Sequence, residues 1–317
     1  MVYTITLNPA LDRNIWIDKL RHDESNRIRQ EKRYAAGKGI DVSRVLTTLG
    51  IRNQALGFAG GYHGEELEGR LINEGINCSF TRIADETRTN IILYDEEKET
   101  QTIFSARGPE VQSNELMGII RQVENLENPE IVVISGSLPR GLHPEIYCRL
   151  MEIARSKGAN VILDTDGMAL RTGIRTSPDL IKPNIHELSH LAGVELRDTR
   201  KIMDAALEIC RQGTGTVLVS MGAKGILLVR EEEKFLAVPP AVKVVNTIGA
   251  GDSSVAGFVY GMVQGKSREE SLVHAVAAGT ATTLLPGPAL CTEEDFFKIT
   301  GKVKLYRENE IVDALKD

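Results

Sequence analysis

A regular alternation of apolar strands and amphipathic helices after residue 130 limits the possible folds more than any other feature. Residues 131–134 are all apolar, which is typical of a strand that is covered on both faces. A helical pattern then begins at Pro144 and stops at Gly158. Further short apolar runs lie at 161–163, 180–181 and 217–219. This alternation predicts an α/β fold with a doubly wound, mostly parallel central sheet.

The first third of the chain does not follow this alternation. Residues 90–94 and 100–104 have strand patterns and flank a polar turn, which predicts a β-hairpin. Weaker strand patterns lie at 14–17 and 27–34. We interpret these strands as a small second sheet, a lid that projects from the main sheet and covers a site. The predicted organisation is a single domain over 1–317, with lid strands inserted at about 13–34 and 87–105.

The bulk composition is that of an ordinary soluble protein. The 317 residues carry a net charge of −6, which argues against nucleic acid as the main partner. No apolar run approaches the roughly 20 residues needed to span a bilayer, and residues 1–5 resemble a strand rather than a secretory leader. The 4 cysteines are scattered without metal-ligand spacing, as expected in a reducing compartment. We therefore predict a cytoplasmic protein with no membrane and no nucleic-acid partner.

A glycine-rich turn beyond residue 245 gives the strongest indication of chemistry. Residues 242–245 are predicted to end a strand, glycines then turn the chain, and an amphipathic helix begins. Free N–H groups and the dipole of a helix N-terminus favour an anion, and Gly249, Ala250 and Gly251 are small enough for close approach. Asp252 could accept a proton from an attacking hydroxyl. This combination suits phosphoryl transfer, although Asp252 could also be only a helix-capping residue.

Several other polar residues directly follow predicted strands. Because ligands of a parallel α/β sheet bind at the carboxyl ends of its strands, these residues are expected to converge. They are Asp12, residues 135–137, Asp164, residues 182–184, Ser220 and the turn at Gly249. Each of them taken singly could be a turn or cap residue, and the sequence defines no distinct role for Asp164.

Four motifs, taken in order, resemble those of the ribokinase/phosphofructokinase-B family of sugar kinases. The matching segments are 246–252 (the carboxyl-terminal signature), 37–40 (the amino-terminal glycine segment), Asn184 with Glu187 (a magnesium-associated motif) and 220–225 (a turn on the nucleotide side). The resemblance covers nearly the whole chain. It implies a ribokinase-like fold with a small β-sheet lid.

Within this family the chain is most similar to the phosphosugar branch, which contains 1-phosphofructokinases, tagatose-6-phosphate kinases and ribokinase-type 6-phosphofructokinases. The segments responsible are 6–12, 26–27, 87–90 and 135–139. An acceptor that already carries phosphate needs cations, which Arg27, Lys38 and Arg88 would supply. The resemblance implies a ketohexose phosphate as substrate, with ATP and Mg²⁺ as cofactors. Fructose 1-phosphate, phosphorylated at its 6-hydroxyl, is the leading acceptor, and tagatose 6-phosphate and fructose 6-phosphate are alternatives at their 1-hydroxyls.

The resemblance also implies roles for the matching residues. Asp252 would be the catalytic base, and the amides of Gly249, Ala250 and Gly251 would form the anion hole. Asn184 and Glu187 would act on Mg²⁺ through water. The residues expected to bind the acceptor are Asp12, Arg27, Gly37, Lys38, Gly39, Asp41, Arg88 and Ser137. The residues expected to line the nucleotide are Asn184, Glu187, Ser220, Gly222, Gly225 and Thr247.

Three positions depart from the family pattern. Asn246 opens the signature where Asp is usual, and Ala36 replaces a glycine. Asp41 stands where the family has an Asn that contacts the acceptor. A carboxylate at this position could still accept hydrogen bonds from sugar hydroxyls, but it would repel a nearby phosphate. The identity of the acceptor therefore stays open at this point.

Two alternatives belong to other classes of protein. His186, Glu187 and His190 fit the His-Glu-x-x-His pattern of zinc hydrolases, but Gly193 ends any helix soon afterwards and no third ligand follows in the expected spacing. A non-catalytic sugar-phosphate sensor with the same fold would be expected to lose Asp252. A homodimer through an exposed face of the lid strands is compatible with either function.

Overall fold

Ten strands form the main sheet of the computed structural model, which describes residues 1–315, and four strands form a smaller sheet. The strands are β1 (Val2–Thr6), β2 (Ala10–Ile17), β3 (Gln30–Ala36), β4 (Asn53–Ala59), β5 (Cys78–Arg82), β6 (Arg88–Asp95), β7 (Thr100–Phe104), β8 (Ile131–Ser135), β9 (Asn160–Asp164), β10 (Leu180–Ile181), β11 (Val217–Ser220), β12 (Ile226–Val229), β13 (Lys234–Val238) and β14 (Lys304–Arg307).

The α-helices lie mostly between the strands of the main sheet. They are α1 (Lys38–Thr48), α2 (Gly61–Asn73), α3 (Ser113–Glu124), α4 (Glu145–Ser156), α5 (Gly167–Gly173), α6 (Ile185–Ala192), α7 (Thr199–Arg211), α8 (Ala250–Val263), α9 (Arg268–Thr283), α10 (Glu293–Thr300) and α11 (Glu308–Ala314). Over residues 1–315, none of these helices combines the length and the apolar character needed to cross a membrane.

The strands of the main sheet lie in the order β14-β13-β12-β11-β10-β9-β8-β1-β4-β5. All neighbours from β5 to β11 are parallel, whereas β12, β13 and β14 continue the sheet antiparallel. Helices cover both faces: in β8, Val132 and Ile134 pack with α3 to α7, and Ile131 and Val133 pack with α1, α8, α9 and α10. Burial on both faces explains why the run Ile131–Ile134 of β8 is apolar at every position. The predicted doubly wound, mostly parallel sheet is confirmed.

The smaller sheet has the strand order β3-β2-β6-β7, and we call it the lid sheet. Its central pair, β2 and β6, is parallel and places Asp12 opposite Asn90, whereas the outer pairs are antiparallel. The chain enters β2 directly from the carboxyl end of β1, through Asn8 and Pro9. This short connection keeps the base of the lid sheet beside the carboxyl ends of the main strands, where the site was expected.

Two local predictions need correction. Residues 242–245 do not form a strand end: they are irregular, and the N–H of Val245 donates to the carbonyl of Thr283 at 2.8 Å. The preceding strand, β13, ends before Pro239 and Pro240, which have no N–H to donate to a sheet. The strand predicted at 27–34 begins only at Gln30, so Arg27 lies in an exposed loop.

Gly225 joins β11 to β12 and offers a test of this fold. Its φ of +93° is a conformation that residues with a side chain rarely adopt, and an added Cβ would overlap the carbonyl oxygen of Ala237. We expect Gly225→Ala to lower the free energy of unfolding by about 2 kcal/mol or more, measured by urea denaturation. Gly222→Ala is the matched control: its φ is +61° with nothing near the added Cβ, and it should cost about 1 kcal/mol. Equal losses in the two variants would contradict this account.

Candidate active site

The glycine turn and the start of α8 form one end of the site. Gly249 is the N-cap of α8 with a φ of 75°, a left-handed conformation that glycine adopts without strain. Asn246 holds this turn, because its Oδ1 accepts from the Ile248 N–H at 3.1 Å and its Nδ2 donates to the carbonyl of Gly287. The N–H groups of Gly251 and Asp252 lie in the first helical turn, where the helix itself supplies no acceptor. The turn therefore presents bare donors to an anion.

Asp164, at the end of β9, is the charged centre of the site. Its Oδ1 lies 3.2 Å from Nζ of Lys38 and 3.6 Å from Nζ of Lys182, and its side chain is 0% exposed. Lys182 is also buried, at 6% exposed, and its Nζ lies beside Gly251. Two ammonium groups thus converge next to the glycine turn and are held there by one carboxylate.

This charge cluster influences the pKa of Asp252, the candidate catalytic base. Burial, followed by the negative charge of Asp164, raises the pKa of Asp252 to about 6, while Lys38 and Lys182 oppose the rise. Burial also acts to raise the pKa of Asp164, but the two lysines outweigh it and lower that pKa overall. Attraction to Asp164 raises the pKa of Lys38. At neutral pH Asp252 is ionised and close to the pKa range that suits a general base.

The lid sheet supplies the opposite wall of the site. Asn90 Nδ2 donates to Oδ1 of Asp12 at 2.8 Å, across the parallel pair β2 and β6. Burial is the main reason why the pKa of Asp12 is raised. Gly37, the N-cap of α1, and Gly39 in its first turn pack closely against Thr6. This close packing brings the start of α1 against the end of β1.

Arg88 and Ser137 meet at Asn8. The Arg88 guanidinium donates to three main-chain carbonyls: Asn8 at 2.9 Å, Ala106 at 2.9 Å and Pro9 at 3.4 Å. Asn8 Nδ2 in turn donates to Ser137 Oγ at 3.1 Å. Each nitrogen of Arg88 is thus engaged by the main chain, so Arg88 holds the base of the lid sheet in place. Its predicted contact with an acceptor phosphate stays a prediction.

Within one chain, Arg27 lies away from this site. It lies in the exposed loop between β2 and β3. The register pairs Asp12 with Tyr34 and Trp16 with Gln30, so the loop joins the strands at the end of the lid sheet far from Asp12. The predicted role of Arg27 therefore has no support from the geometry of one chain.

The predicted nucleotide side is built around the start of α6. Asn184 and Glu187 form a reciprocal capping box: Asn184 Oδ1 accepts from the Glu187 N–H at 2.8 Å, and Glu187 Oε2 accepts from the Asn184 N–H at 2.9 Å. Asn184 also forms a parallel bridge with Ser220, at the end of β11. The next turn contains Gly222 and Gly225, both with positive φ. Thr247 lies across the site and is exposed, and its carbonyl accepts from the Ala250 N–H.

The donors near Asn184 fit a hydrated magnesium ion. Glu187 Oε1 has no hydrogen-bond partner in the part of the chain that the structure describes. Residues 1–315 contain no cluster of three or more His, Cys, Asp and Glu side chains able to hold a metal. A site with so few carboxylates suits Mg²⁺, which keeps most of its water ligands.

Comparison with known proteins identifies the family. The profile of the pfkB family carbohydrate kinases matches residues 5–295. The chain belongs to this family. It is 36% identical over 308 residues to a 1-phosphofructokinase of Borreliella burgdorferi, covering 96% of this chain and 98% of that protein. It is 33% identical over 307 residues to a 1-phosphofructokinase of Bacillus subtilis, with coverages of 97% and 100%.

The same relationship is seen in three dimensions. The crystal structure of phosphofructokinase-2 from Escherichia coli in complex with potassium superposes with a TM-score of 0.92 at 35% identity, covering 95% of this chain and 98% of that chain. This pfkB-family protein is therefore a sugar kinase with the ribokinase-like fold, as its motifs indicated.

The zinc-hydrolase alternative loses its support. The rings of His186 and His190 lie 4.2 Å apart on the surface of α6, but residues 1–315 place no third metal ligand beside them. A zinc site normally needs three protein ligands. Glu187 is used in the capping box of the kinase motif instead.

The sequence did not reveal what Asp164 and Lys182 do in this kinase. Asp164 is the last residue of β9, after three apolar residues, and Lys182 directly follows β10. That position was the available signal, because charged residues at the carboxyl ends of neighbouring strands meet at one edge of the sheet. Their ion pair could be recognised only when the order β8-β9-β10 was known.

The influence of Asp164 on Asp252 gives a pH-dependent prediction. Asp164→Asn removes a negative charge that raises the pKa of Asp252 and leaves Lys38 and Lys182, which lower it. Because a general base must be ionised, kcat/KM falls as the pH drops through this pKa. We expect the acidic limb, near pH 6 in the natural protein, to move to lower pH by roughly one unit. Asp166→Asn, at an exposed position nearby, should leave the limb in place. An acidic limb that stays or moves upward in Asp164→Asn would contradict the coupling.

Proposed function

We propose that this kinase transfers the γ-phosphoryl group of ATP to a phosphorylated ketohexose, with fructose 1-phosphate as the leading acceptor and fructose 1,6-bisphosphate as the product. The main support for this proposal is the arrangement of charged side chains and main-chain amides at the start of α8. There Asp252, with a pKa of about 6, lies beside the amide of Gly251 in the first turn of α8 and close to the buried Lys182 and the half-buried Lys38. An anion hole and an adjacent base are what phosphoryl transfer requires.

The mechanism follows from these positions. The acceptor hydroxyl attacks the γ-phosphoryl in line, and Asp252 takes the hydroxyl proton as the new P–O bond forms. The bond between the γ-phosphorus and the β–γ bridging oxygen breaks, and ADP leaves with that oxygen. The amides of Gly249 and Gly251 hold the charge that develops on the transferred group, whereas the Ala250 N–H donates to the carbonyl of Thr247 at 3.3 Å. Lys182 and Lys38 add positive potential beside these amides. Asn184 and Glu187 would hold a hydrated Mg²⁺, which would neutralise charge on the phosphates of the nucleotide. The lid sheet restricts water at the reacting centre.

The choice of fructose 1-phosphate as the leading acceptor rests on the activity for which two relatives are named. Two relatives at 33–36% identity over nearly the whole chain are 1-phosphofructokinases, which favours fructose 1-phosphate. Tagatose 6-phosphate and fructose 6-phosphate are the alternatives, because all three sugars have a phosphate at one end and a primary hydroxyl at the other.

A homodimer through the lid sheet is part of this proposal. The outer strand β7 is exposed along its whole length and includes Ile103 and Phe104, which are more than half exposed. An exposed apolar strand at a sheet edge favours association with a second copy. A cytoplasmic location stays a prediction.

A panel of acceptors tests the proposed reaction. ADP formation would be measured with fructose 1-phosphate, tagatose 6-phosphate, fructose 6-phosphate and the unphosphorylated sugars. We expect kcat/KM to be at least about tenfold higher for fructose 1-phosphate than for the other acceptors, because each tenfold preference needs only about 1.4 kcal/mol of transition-state discrimination. A higher kcat/KM for one of the other sugar phosphates would show that this sugar, and not fructose 1-phosphate, is the preferred acceptor. Binding of sugar phosphates without any turnover would instead favour a sensor.

A substitution at Asp252 tests the assignment of the base. Asp252→Asn keeps the size of the side chain but cannot accept the proton, so we expect kcat to fall by roughly 10³ or more while the Kd for ATP stays within a few-fold. Glu294→Gln is a matched control, since Glu294 is an exposed acid in the first turn of another helix, α10. Normal turnover by Asp252→Asn would show that another group is the base.

A further inference from the structure

Asn246, the residue that opens the signature where Asp is usual, joins two separate segments of the chain. Its Oδ1 accepts from the Ile248 N–H at 3.1 Å, within the glycine turn. Its Nδ2 donates to the carbonyl of Gly287, which lies 41 positions further along the chain in the loop 284–290. One half-buried amide therefore ties the glycine turn to a loop that is remote in sequence.

The loop 284–290 follows α9 and packs directly against the start of α8. A Cβ added to Gly249, the N-cap of α8, would lie 2.6 Å from Cδ2 of Leu290, so this leucine covers the turn. The carbonyl of Thr283, the residue before the loop, accepts from the Asn246 N–H at 3.3 Å. The position of the glycine turn therefore depends on the position of this loop.

The same loop also contacts the elements on the acceptor side of the site. Arg44 of α1, the cation paired with Asp41, donates to the carbonyl of Pro288 at 3.5 Å. A Cβ built on Gly287 would lie 3.9 Å from the hydroxyl oxygen of Tyr94, on the lid strand β6. The loop 284–290 thus lies between α1, the lid sheet and the glycine turn, and Asn246 provides its side-chain hydrogen bond to that turn.

Only an amide side chain can make both contacts of Asn246 without a further partner. Its acceptor pairs with the Ile248 N–H, and its donor pairs with the Gly287 carbonyl. An ionised aspartate would keep the first contact, but it would place a carboxylate oxygen against the carbonyl oxygen with no proton between them. A monovalent cation such as K⁺ binds oxygens of this kind and would bridge the two. Asparagine and aspartate at position 246 therefore need different surroundings.

We propose that Asn246 is a positioning residue for the anion hole: its amide nitrogen holds the loop 284–290 against the glycine turn, which a carboxylate at this position would do only with a monovalent cation between the two oxygens. The inference rests on the proposed function in one respect, that the amides of Gly249 and Gly251 bind the transferred phosphoryl group. Because charge develops on that group in the transition state, a displaced turn lowers kcat more than it raises KM.

The substitution Asn246→Asp tests this inference. Turnover would be measured with Mg²⁺, ATP and the preferred acceptor, with either K⁺ or tetramethylammonium as the only monovalent cation; tetramethylammonium is too bulky to fit between two oxygens. In tetramethylammonium we expect kcat to fall about tenfold or more below that of the natural protein, because a carbonyl loses its donor, while both KM values stay within about threefold. K⁺ should restore kcat to within about twofold of the natural protein in the same salt.

Two further variants make the assignment specific. Asn246→Ala removes both contacts and supplies no oxygen, so kcat should fall and K⁺ should not restore it. Asn125→Asp is the matched control: Asn125 is exposed, and its Nδ2 also donates to a main-chain carbonyl, that of Arg121, at 2.7 Å. Its kcat and its response to K⁺ should equal those of the natural protein. A natural kcat in Asn246→Ala, or in Asn246→Asp without K⁺, would overturn the inference.

Thermal unfolding separates this inference from the proposed function, because it needs no turnover. At equal chloride concentration, replacing tetramethylammonium by K⁺ should raise the Tm of Asn246→Asp by about 2 °C more than that of the natural protein or of Asn125→Asp, since a cation that binds only the folded state stabilises it. Equal shifts in the three proteins would contradict the bridge between the two oxygens. Failure of the acceptor panel would overturn the proposed reaction and leave this comparison unchanged.

Discussion

The rest of the site depends on one buried carboxylate. Asp164 has no exposed side-chain surface and lies within 3.6 Å of two lysine ammonium groups. A buried charge is tolerated only when it is paired, and loss of one partner of such a pair typically costs about 3–5 kcal/mol. Asp164 therefore holds the ends of β9 and β10 and the start of α1 at fixed positions. The two lysines are in turn directed at the glycine turn of α8.

Four aspartates in this small region have different environments, and their pKa values differ accordingly. Asp164 is surrounded by cations and stays ionised. Asp252 is buried beside that ionised group, which brings its pKa to about 6, the range of a base that works near neutral pH. Asp41 shares its cation with Glu74 and ionises only at higher pH. Asp12 is held by Asn90 in the lid sheet.

The lid sheet is connected to this centre by main-chain contacts. Arg88 donates to the carbonyls of Asn8, Pro9 and Ala106, so it ties β6 to the segment that leaves β1. Asn8 joins the same segment to Ser137, at the end of β8. The lid sheet therefore contacts the main sheet at the carboxyl ends of β1 and β8. A movement of the lid sheet would therefore displace residues of the site.

The main sheet, the lid hairpin and the glycine turn were predictable because their signals are local. Apolar runs specify strands buried on both faces, and Gly249, Ala250 and Gly251 mark a tight turn that suits small residues. The sequence also placed Asp252 in the first turn of α8, which is confirmed, whereas its role as the base stays a prediction. It misplaced the strand at 242–245, because apolar content there outweighed the effect of the two prolines before it. Only the tertiary structure shows which cations pair with Asp164 and Asp41. Lys38, one of the two lysines that pair with Asp164, is 126 positions away in the chain. The charge state of a carboxylate depends on such distant neighbours and on burial, which no local pattern records.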